Sequence, residues 1–363
     1  MKNVLLLRAN PRHTGYTQRV TDLFLQGLRD ARARVTDVDV TALNLASCLG
    51  CYDCWLVTPG QCVHGDAMAG QLELILAADV IVCATPLYYY SMSSYLKAYF
   101  ERTFPLAAPG LVPSGLGYSR NSTRYPEKWK GKKLISIIVG ALRDPETYRP
   151  ANETFRLIAD SLDLELGGQL TRPESHLLDY PLSKPKTLKR IEAAFIEAGR
   201  EAGTTGRLTA ETMTAAALPL AVDLRHFRDY SNIFWANAGA AENRGRPLVE
   251  VQQRVARDVR ILMREMVRCL DPKATARVKA VLQFEFPDRD LAYHVRVDCG
   301  KAELKEGRAA KPDLQVRCPA DIWAGIFMRL TDVRDALKNR QLVLSGDKSL
   351  FSRLDRFFPP PTG

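Results

Sequence analysis

Apolar and polar positions alternate along the first two hundred residues in a strand-then-helix rhythm. Val4–Leu7 is a short apolar run closed by Arg8 and Pro11, and it reads as a buried strand. Thr17–Ala31 then sets Val20, Leu23, Phe24, Leu28 and Ala31 at helical spacing. Val35–Val40 predicts a second strand, Asp66–Ala77 a helix, and Asp79–Ala84 a third strand buried on both faces. Met92–Arg102 reads as a helix, Gly110–Lys128 as a long polar loop, and Leu134–Val139 as a fourth strand. Asn152–Asp163 reads as a helix, Leu164–Leu170 as a fifth strand, and Lys186–Ala202 as a helix. This order predicts an α/β domain: a doubly wound, five-stranded parallel sheet covered on both faces.

Beyond about residue 205 the pattern changes. Leu208–Val222, rich in Ala and Thr, reads as helical, Ala238–Arg246 as a linker, and Leu248–Leu270 as a long amphipathic helix. Short alternating segments follow at Ala280–Phe286, Ala292–Val297 and Leu314–Cys318. Helices are expected at Ala320–Arg329 and Asp332–Asn339, then the turn-bearing stretch Leu342–Asp347 and a final helix. This layout is α+β and carries no internal repeat. The expected division is a first domain over 1–205, a helical linker over 206–246 and a smaller second domain over 247–363.

A chain of 363 residues is long enough for two cores, and 46% hydrophobic with 25% charged residues is ordinary for a globular protein. The net charge of +10 favours anionic partners such as phosphate-bearing cofactors or acidic lipid surfaces. Lys and Arg are spread without a block, so nucleic acid is not expected as a partner. No apolar run approaches the ~18 residues of a membrane span, and Val4–Leu7 is too short for a secretory leader. Of eight cysteines, Cys48, Cys51, Cys54 and Cys62 crowd together, while Cys83, Cys269, Cys299 and Cys318 are scattered. That distribution indicates a site, not a disulfide framework, and a reducing cytoplasm as the expected location.

Three loops fall at the carboxyl ends of the predicted strands, where such sheets bind ligands. The turn Asn10–Thr17 opens a helix whose unpaired N–H groups attract phosphate, with Gly15 for close approach, Arg12 for charge, and Thr14 and Thr17 as hydroxyl donors. The loop Thr85–Tyr90 is stiffened by Pro86, and its adjacent tyrosines can stack on a flat ring. Gly140–Arg143 is the third loop. The plain alternatives are a capped β–α turn and a hydrophobic loop packed on its own sheet. The cysteine loop suits a [4Fe–4S] cluster on Cys48, Cys51, Cys54 and Cys62, or zinc with His64 or Asp66 joining, or a redox-active or inert thiol set. Glu101-Arg102 reads as a solvated ion pair at a helix end, and the histidines are isolated. A Gly-x-Gly-x-x-Gly fingerprint is absent, which argues against a separate dinucleotide-binding domain.

Ala9-Asn10-Pro11-Arg12-His13-Thr14-Gly15-Tyr16-Thr17 follows the pattern Gly-Ser-Pro-Arg-x-x-Gly-x-Thr, with Asn10 in place of Ser. Gly60-Gln-Cys62, Asp66-Ala-Met68, Ala78-Asp79, Thr85-Pro-Leu-Tyr88, Met92-Ser93, Leu96-Lys97 and Glu101-Arg102 follow in order. Over about residues 1–205 the chain resembles the NADPH-dependent FMN reductase family of flavodoxin-like proteins and, within it, the iron–sulfur flavoproteins. The resemblance implies FMN held by Asn10, Arg12, Thr14, Gly15, Tyr16 and Thr17, by Thr85, Pro86, Leu87, Tyr88 and Tyr89, and by Gly140 and Ala141. It implies NAD(P)H as reductant, a homodimer or homotetramer in which a neighbour closes the flavin site, and a [4Fe–4S] cluster on the four clustered cysteines. No catalytic proton donor is identified.

Val281-Leu-Gln-Phe284, Asp298-Cys-Gly300, Pro312-Asp313-Leu314, the Asp321 helix with Gly325, and Leu342–Asp347 are similar to a sterol carrier protein type two domain over roughly 247–363. Such a domain implies a five-stranded sheet with helices over an apolar tunnel. Trp323, Phe327, Phe284 and Phe286 suit its lining, and equally suit a plain core. The implied function is an FMN-dependent NAD(P)H oxidoreductase that passes electrons to a quinone-like or other apolar acceptor. The alternatives are an electron-transfer protein fed by ferredoxin, and a non-catalytic lipid-binding redox sensor.

Overall fold

The apolar runs of the first two hundred residues become the centre of a sheet. The computed structural model describes residues 1–179, 185–221, 223–239, 241–247, 250–251, 254, 258–327 and 331–359. They fall into two units, Met1–Leu178 with Thr187–Leu220, and Asp179–Lys186 with Ala221–Gly363.

In the first unit the chain runs β1 (Asn3–Arg8), α1 (Tyr16–Asp30), β2 (Arg34–Asp39), the short α2 (Asp53–Leu56), α3 (Met68–Ala77), β3 (Val80–Pro86) and α4 (Ser94–Glu101). It continues through β4 (Ala107–Pro113), β5 (Ser119–Thr123), α5 (Pro126–Trp129), β6 (Lys133–Val139), α6 (Arg149–Ser161), β7 (Glu165–Arg172), α7 (Pro185–Thr204) and α8 (Ala210–Ala216). The five-stranded sheet has the order β2-β1-β3-β6-β7, and every neighbouring pair is parallel. The strand-and-helix reading thus gives the α/β, flavodoxin-like doubly wound sheet that it predicts. Period-two alternation divides the core. Leu5, Leu7, Ile81, Cys83, Leu134 and Ile138 pack with Met68, Leu72, Leu96, Tyr99 and Phe155 from α3, α4 and α6. The alternate positions Val4, Leu6, Val80, Val82 and Ile137 are also buried, on the side where α1 touches the sheet.

Helices α1 and α7 approach to backbone contact. A Cβ on Gly27 would lie 1.8 Å from the Ile196 carbonyl oxygen, and one on Gly199 2.0 Å from that of Phe24. Arg19 donates to Glu192 at 2.8 Å and Arg200 to Asp30 at 2.8 Å on either side of this crossing.

The stretch Gly110–Lys128 is not the polar loop its composition predicts. It contains most of the antiparallel hairpin β4–β5, bulged between Ala108 and Leu111, and then α5. Asp160 accepts from Ser114 Oγ at 2.8 Å and Tyr118 Oη at 2.7 Å, and Asp163 accepts from Thr123 Oγ1 at 2.6 Å. Those partners lie some forty residues further on, out of reach of any local pattern.

In the second unit α9 (Leu224–Ala238) forms where the sequence reading had only a junction between a helix and a linker. The long helix expected over Leu248–Leu270 is seen as α10 (Val259–Arg268), and positions 248–249, 252–253 and 255–257 lie outside the described residues, as does Val222. Then come β8 (Lys279–Phe286), β9 (Leu291–Asp298), β10 (Lys301–Glu306), β11 (Leu314–Arg317), α11 (Ala320–Phe327), α12 (Val333–Lys338), β12 (Val343–Gly346), α13 (Lys348–Phe351) and α14 (Leu354–Phe357). Arg329, at the end of the helix expected from Ala320, also lies outside the described residues. The sheet order is β10-β9-β8-β11-β12, with only the β8–β11 pair parallel. Phe284, Phe286 and Trp323 are buried in its core, Phe284 and Trp323 with ring centroids 5.0 Å apart, and Phe327 packs against it.

Candidate functional site

Main-chain hydrogen bonds tie the three strand-end loops to one sheet edge. Past β1, Ala9 N–H donates to the Ala84 carbonyl at 2.9 Å. Past β3, Leu87 N–H donates to the Val139 carbonyl at 2.8 Å. Past β6, Gly140 N–H donates to the Arg172 carbonyl at 3.0 Å, and its own carbonyl accepts from Ser175 N–H at 3.0 Å. Ser93, just before α4, fastens the first loop to the second: its Oγ donates to the Ala9 carbonyl at 2.8 Å, while its N–H donates to Thr85 Oγ1 at 2.9 Å. Sequence reasoning quoted Ser93 within a motif but gave it no role.

The first loop feeds α1, whose N-cap is Gly15 with no side-chain cap, so the first-turn N–H groups have no side-chain oxygen from the cap. Arg12 and Thr14 are exposed at this mouth, and Thr17 is buried. Asn10 is buried and works inward. Its Nδ2 donates to the Arg12 carbonyl and to Gln18 Oε1, both at 3.1 Å, and its Oδ1 is buried without a hydrogen-bond partner.

In the second loop Tyr88 and Ser91 exchange main-chain hydrogen bonds at 2.9 and 3.0 Å around a two-residue tip. Tyr89 and Tyr90 both take left-handed conformations, φ 47° and 64°, a pairing that hairpin tips normally give to Asn and Gly. Tyr89 is 100% exposed. Two bulky residues held at positive φ store strain. The double change Tyr89→Asn, Tyr90→Gly is therefore expected to raise the unfolding free energy by about 1–2 kcal/mol. A fall in stability in a urea titration would refute this account of the tip.

The third loop rests on buried charge. Arg172 and Glu174 are both fully buried. Arg172 donates to the carbonyls of Ala216 and Leu218, each at 2.9 Å, and Glu174 accepts from Leu220 N–H at 2.6 Å and from Arg143 at 3.3 Å. Burial lowers the Arg172 guanidinium to a pKa of about 10. Tyr148 Oη donates to the Leu142 carbonyl at 2.7 Å, and a Cβ on Gly140 would stand 2.6 Å from the Tyr148 hydroxyl oxygen. Gly140 itself is buried and Ala141 exposed.

Cys48, Cys51, Cys54 and Cys62 line one cavity of about 50 Å³ with Arg102, His64, Glu101 and Phe104. Tyr52, at φ 61°, turns the chain into α2, and Gly60, at φ 88°, turns it back, its N–H donating to the Cys54 carbonyl at 3.0 Å. Trp55 Nε1 donates to the Phe104 carbonyl at 3.0 Å and its ring stacks between Tyr52 and Phe104. All four cysteines are free thiols, Cys51 exposed and Cys54 buried. Burial, and then its neighbours Cys62, Cys51 and Cys48, push the Cys54 thiol pKa up. Among the described residues no group of three or more His, Cys, Asp or Glu side chains converges closely enough to hold a single metal ion.

The expectation of a solvated Glu101-Arg102 pair is overturned. Glu101 pairs with Lys97 one turn back, while Arg102 is 1% exposed and pairs with Asp66. Its Nη1 donates to the Ala46 carbonyl at 2.7 Å and to Asp66 Oδ2 at 2.8 Å, and its Nη2 to Asp66 Oδ1 at 2.9 Å. Asp66 also accepts from Ala46 N–H at 3.1 Å. Ala46 precedes the first clustered cysteine and Asp66 follows the last, so one fork closes both ends of the loop. The Arg102 hydrogen bonds hold the Asp66 carboxyl down at about 2, and they engage both of its oxygens. A signal for the buried arginine existed: it stands three residues after the inward-facing Tyr99 on the helical stripe.

Residues 2–156 match the family model described as flavodoxin-like fold, and residues 264–359 that of the SCP-2 sterol transfer family. Over 105 residues the chain is 29% identical to an iron–sulfur flavoprotein of Archaeoglobus fulgidus, covering 29% of this chain and 46% of that one. The chain thus spans about half the length of that curated relative. Among solved structures, an FMN-dependent NADH-azoreductase from Bacillus anthracis in complex with FMN aligns at 15% identity and TM-score 0.44, covering 56% of this chain and 100% of that chain. An NAD(P)H:quinone oxidoreductase from Methanothermobacter marburgensis aligns at 17% and 0.41, covering 55% and 96%. The chain resembles the flavodoxin-like FMN reductases and iron–sulfur flavoproteins over its first part, and the SCP-2 sterol transfer family over its last.

Proposed function

We propose that the protein is an FMN-dependent NAD(P)H oxidoreductase with an iron–sulfur cluster in its cysteine loop and an apolar electron acceptor served by its C-terminal domain. The observation that carries this reading is the fastening of three strand-end loops to one sheet edge beside an uncapped helix N-terminus. The first turn of α1, with Gly15 allowing close approach, binds the flavin phosphate through backbone N–H groups and the positive end of the helix dipole. Arg12 and Thr14 stand exposed at that mouth to complete the phosphate shell. Thr85 and Ser93 hold the second loop rigid, so the Tyr88–Tyr90 tip offers aromatic faces at a fixed height. Gly140 and Ala141 form the third wall. When bound, FMN supplies hydride acceptance from NAD(P)H and onward electron delivery.

Four thiols around one cavity match the donor set of a [4Fe–4S] cluster. An apolar acceptor is supported by the SCP-2 match over residues 264–359. A ferredoxin donor entering at the cysteine loop is the second reading, favoured by exposed Cys51 and by the exposed apolar side chains Leu49, Leu56 and Val57 of the same stretch of chain. Assembly as a homodimer or homotetramer belongs to the proposal and is read by light scattering. No helix among the described residues is long and apolar enough to cross a membrane.

The test is an absorbance spectrum of protein purified without oxygen, with iron and acid-labile sulfide assays, before and after NADPH. Flavin bands over a broad shoulder, about four irons per chain, and bleaching by NADPH are expected. Protein that takes up no flavin on reconstitution with FMN overturns the proposal.

A further inference from the structure

Arg102 stands in the wall of the cysteine cavity with part of its hydrogen-bonding capacity unused. Its two terminal nitrogens are committed to Ala46 and Asp66, but its Nε is buried with no hydrogen-bond partner. A buried donor left unmet is unfavourable, and an acceptor in the cavity relieves that. The guanidinium also lies close enough to the Cys62 thiol for the two to attract each other. The rest of the cavity rim supplies thiols, which become thiolates when they ligate metal.

We propose that Arg102 is a positioning residue that acts as counter-charge to a thiolate-ligated iron–sulfur group in this cavity, raising the potential at which that group is reduced. This rests on the cluster reading above. Each one-electron reduction adds one negative charge to a group already made anionic by its thiolates. A cation buried beside it favours the reduced form, and an N–H aimed at a ligand sulfur does the same. Asp66 opposes this from the other side of the guanidinium, so the two side chains act on the potential with opposite signs while serving the same mechanical clasp.

That opposition makes the test decisive. The full chain is reconstituted with iron and sulfide under argon, as wild type, Arg102→Gln and Asp66→Asn. Iron per chain is assayed, and the midpoint potential is followed by electron paramagnetic resonance during dithionite titration. In the fraction of Arg102→Gln that loads iron, the reduction equilibrium is expected to be weakened at least tenfold, which is 59 mV more negative for a one-electron couple. Asp66→Asn is expected to shift the potential the other way. Loosening of the loop alone would move both variants in one direction, and that result overturns the inference, as does an unchanged potential in a fully loaded Arg102→Gln. If Arg102→Gln fails to fold or load, Asp66→Asn decides, and a potential there that is unchanged or lower refutes the proposal. Wild-type protein that takes up flavin but no iron overturns the cluster reading, and the role of Arg102 with it.

Discussion

Glu174→Gln is expected to lower the unfolding free energy by about 3–5 kcal/mol, the range seen when one partner of a buried ion pair is removed. Arg172 and Glu174 have no exposed surface, and the nearest approach between them is 4.0 Å. The carboxylate does more than neutralise the guanidinium: it also accepts from Leu220 N–H and from Arg143. Gln keeps the shape and one acceptor oxygen but leaves Arg172 as a buried charge that already pays a desolvation penalty. Arg143 belongs to the third loop, so the same change is expected to weaken FMN binding. A urea denaturation series on the flavin-free chain measures the first effect and flavin fluorescence the second. A loss below about 1 kcal/mol, the ordinary value for an exposed pair, would show that this network is not the support it is taken to be.

Gly199→Ala is the second large effect. A methyl group there would sit 2.0 Å from the Phe24 carbonyl oxygen and 2.9 Å from Gly27 Cα, all of it backbone that cannot swing aside. Helices α1 and α7 must separate, at about 3 kcal/mol or more for so rigid a clash. Because α1 carries the uncapped N-terminus, its displacement is also expected to reduce flavin affinity, unlike a cavity made elsewhere in the core. Gly27→Ala, whose new atom would meet the Ile196 carbonyl oxygen at 1.8 Å, should behave alike, and the double variant should not rescue either one. Thermal unfolding of Gly199→Ala within about 1 kcal/mol of wild type would refute this.

The first sheet and the three strands β8, β9 and β11 of the second were legible because their signals are local, whereas the mostly charged β10 and the short β12 were not read as strands. Val80–Pro86 is apolar at successive positions because both faces are covered, and Ala280–Phe286 declares a strand by its apolar and aromatic run. The three loops followed from the rule that ligands gather beyond carboxyl ends of parallel strands. What escaped the sequence depends on partners distant along the chain. The β4–β5 hairpin is held by Asp160 and Asp163 after α6. Arg102 looks like a solvated neighbour of Glu101 until Asp66, thirty-six residues earlier, is brought beside it. The tyrosine tip was legible as an aromatic loop, but nothing in three successive tyrosines announces two left-handed residues.

Helix α4 begins immediately after Ser93, which pins the first two loops, and ends immediately before Arg102, which closes the cysteine loop. Its eight residues make a rod about 12 Å long at ~1.5 Å per residue. The residues that fasten the loops proposed to hold FMN and those that close the cysteine loop thus stand at opposite ends of this one rigid spacer, with no moving linker between them. The spacing between the pin of the flavin loops and the clasp of the cysteine loop is therefore a constant of the fold.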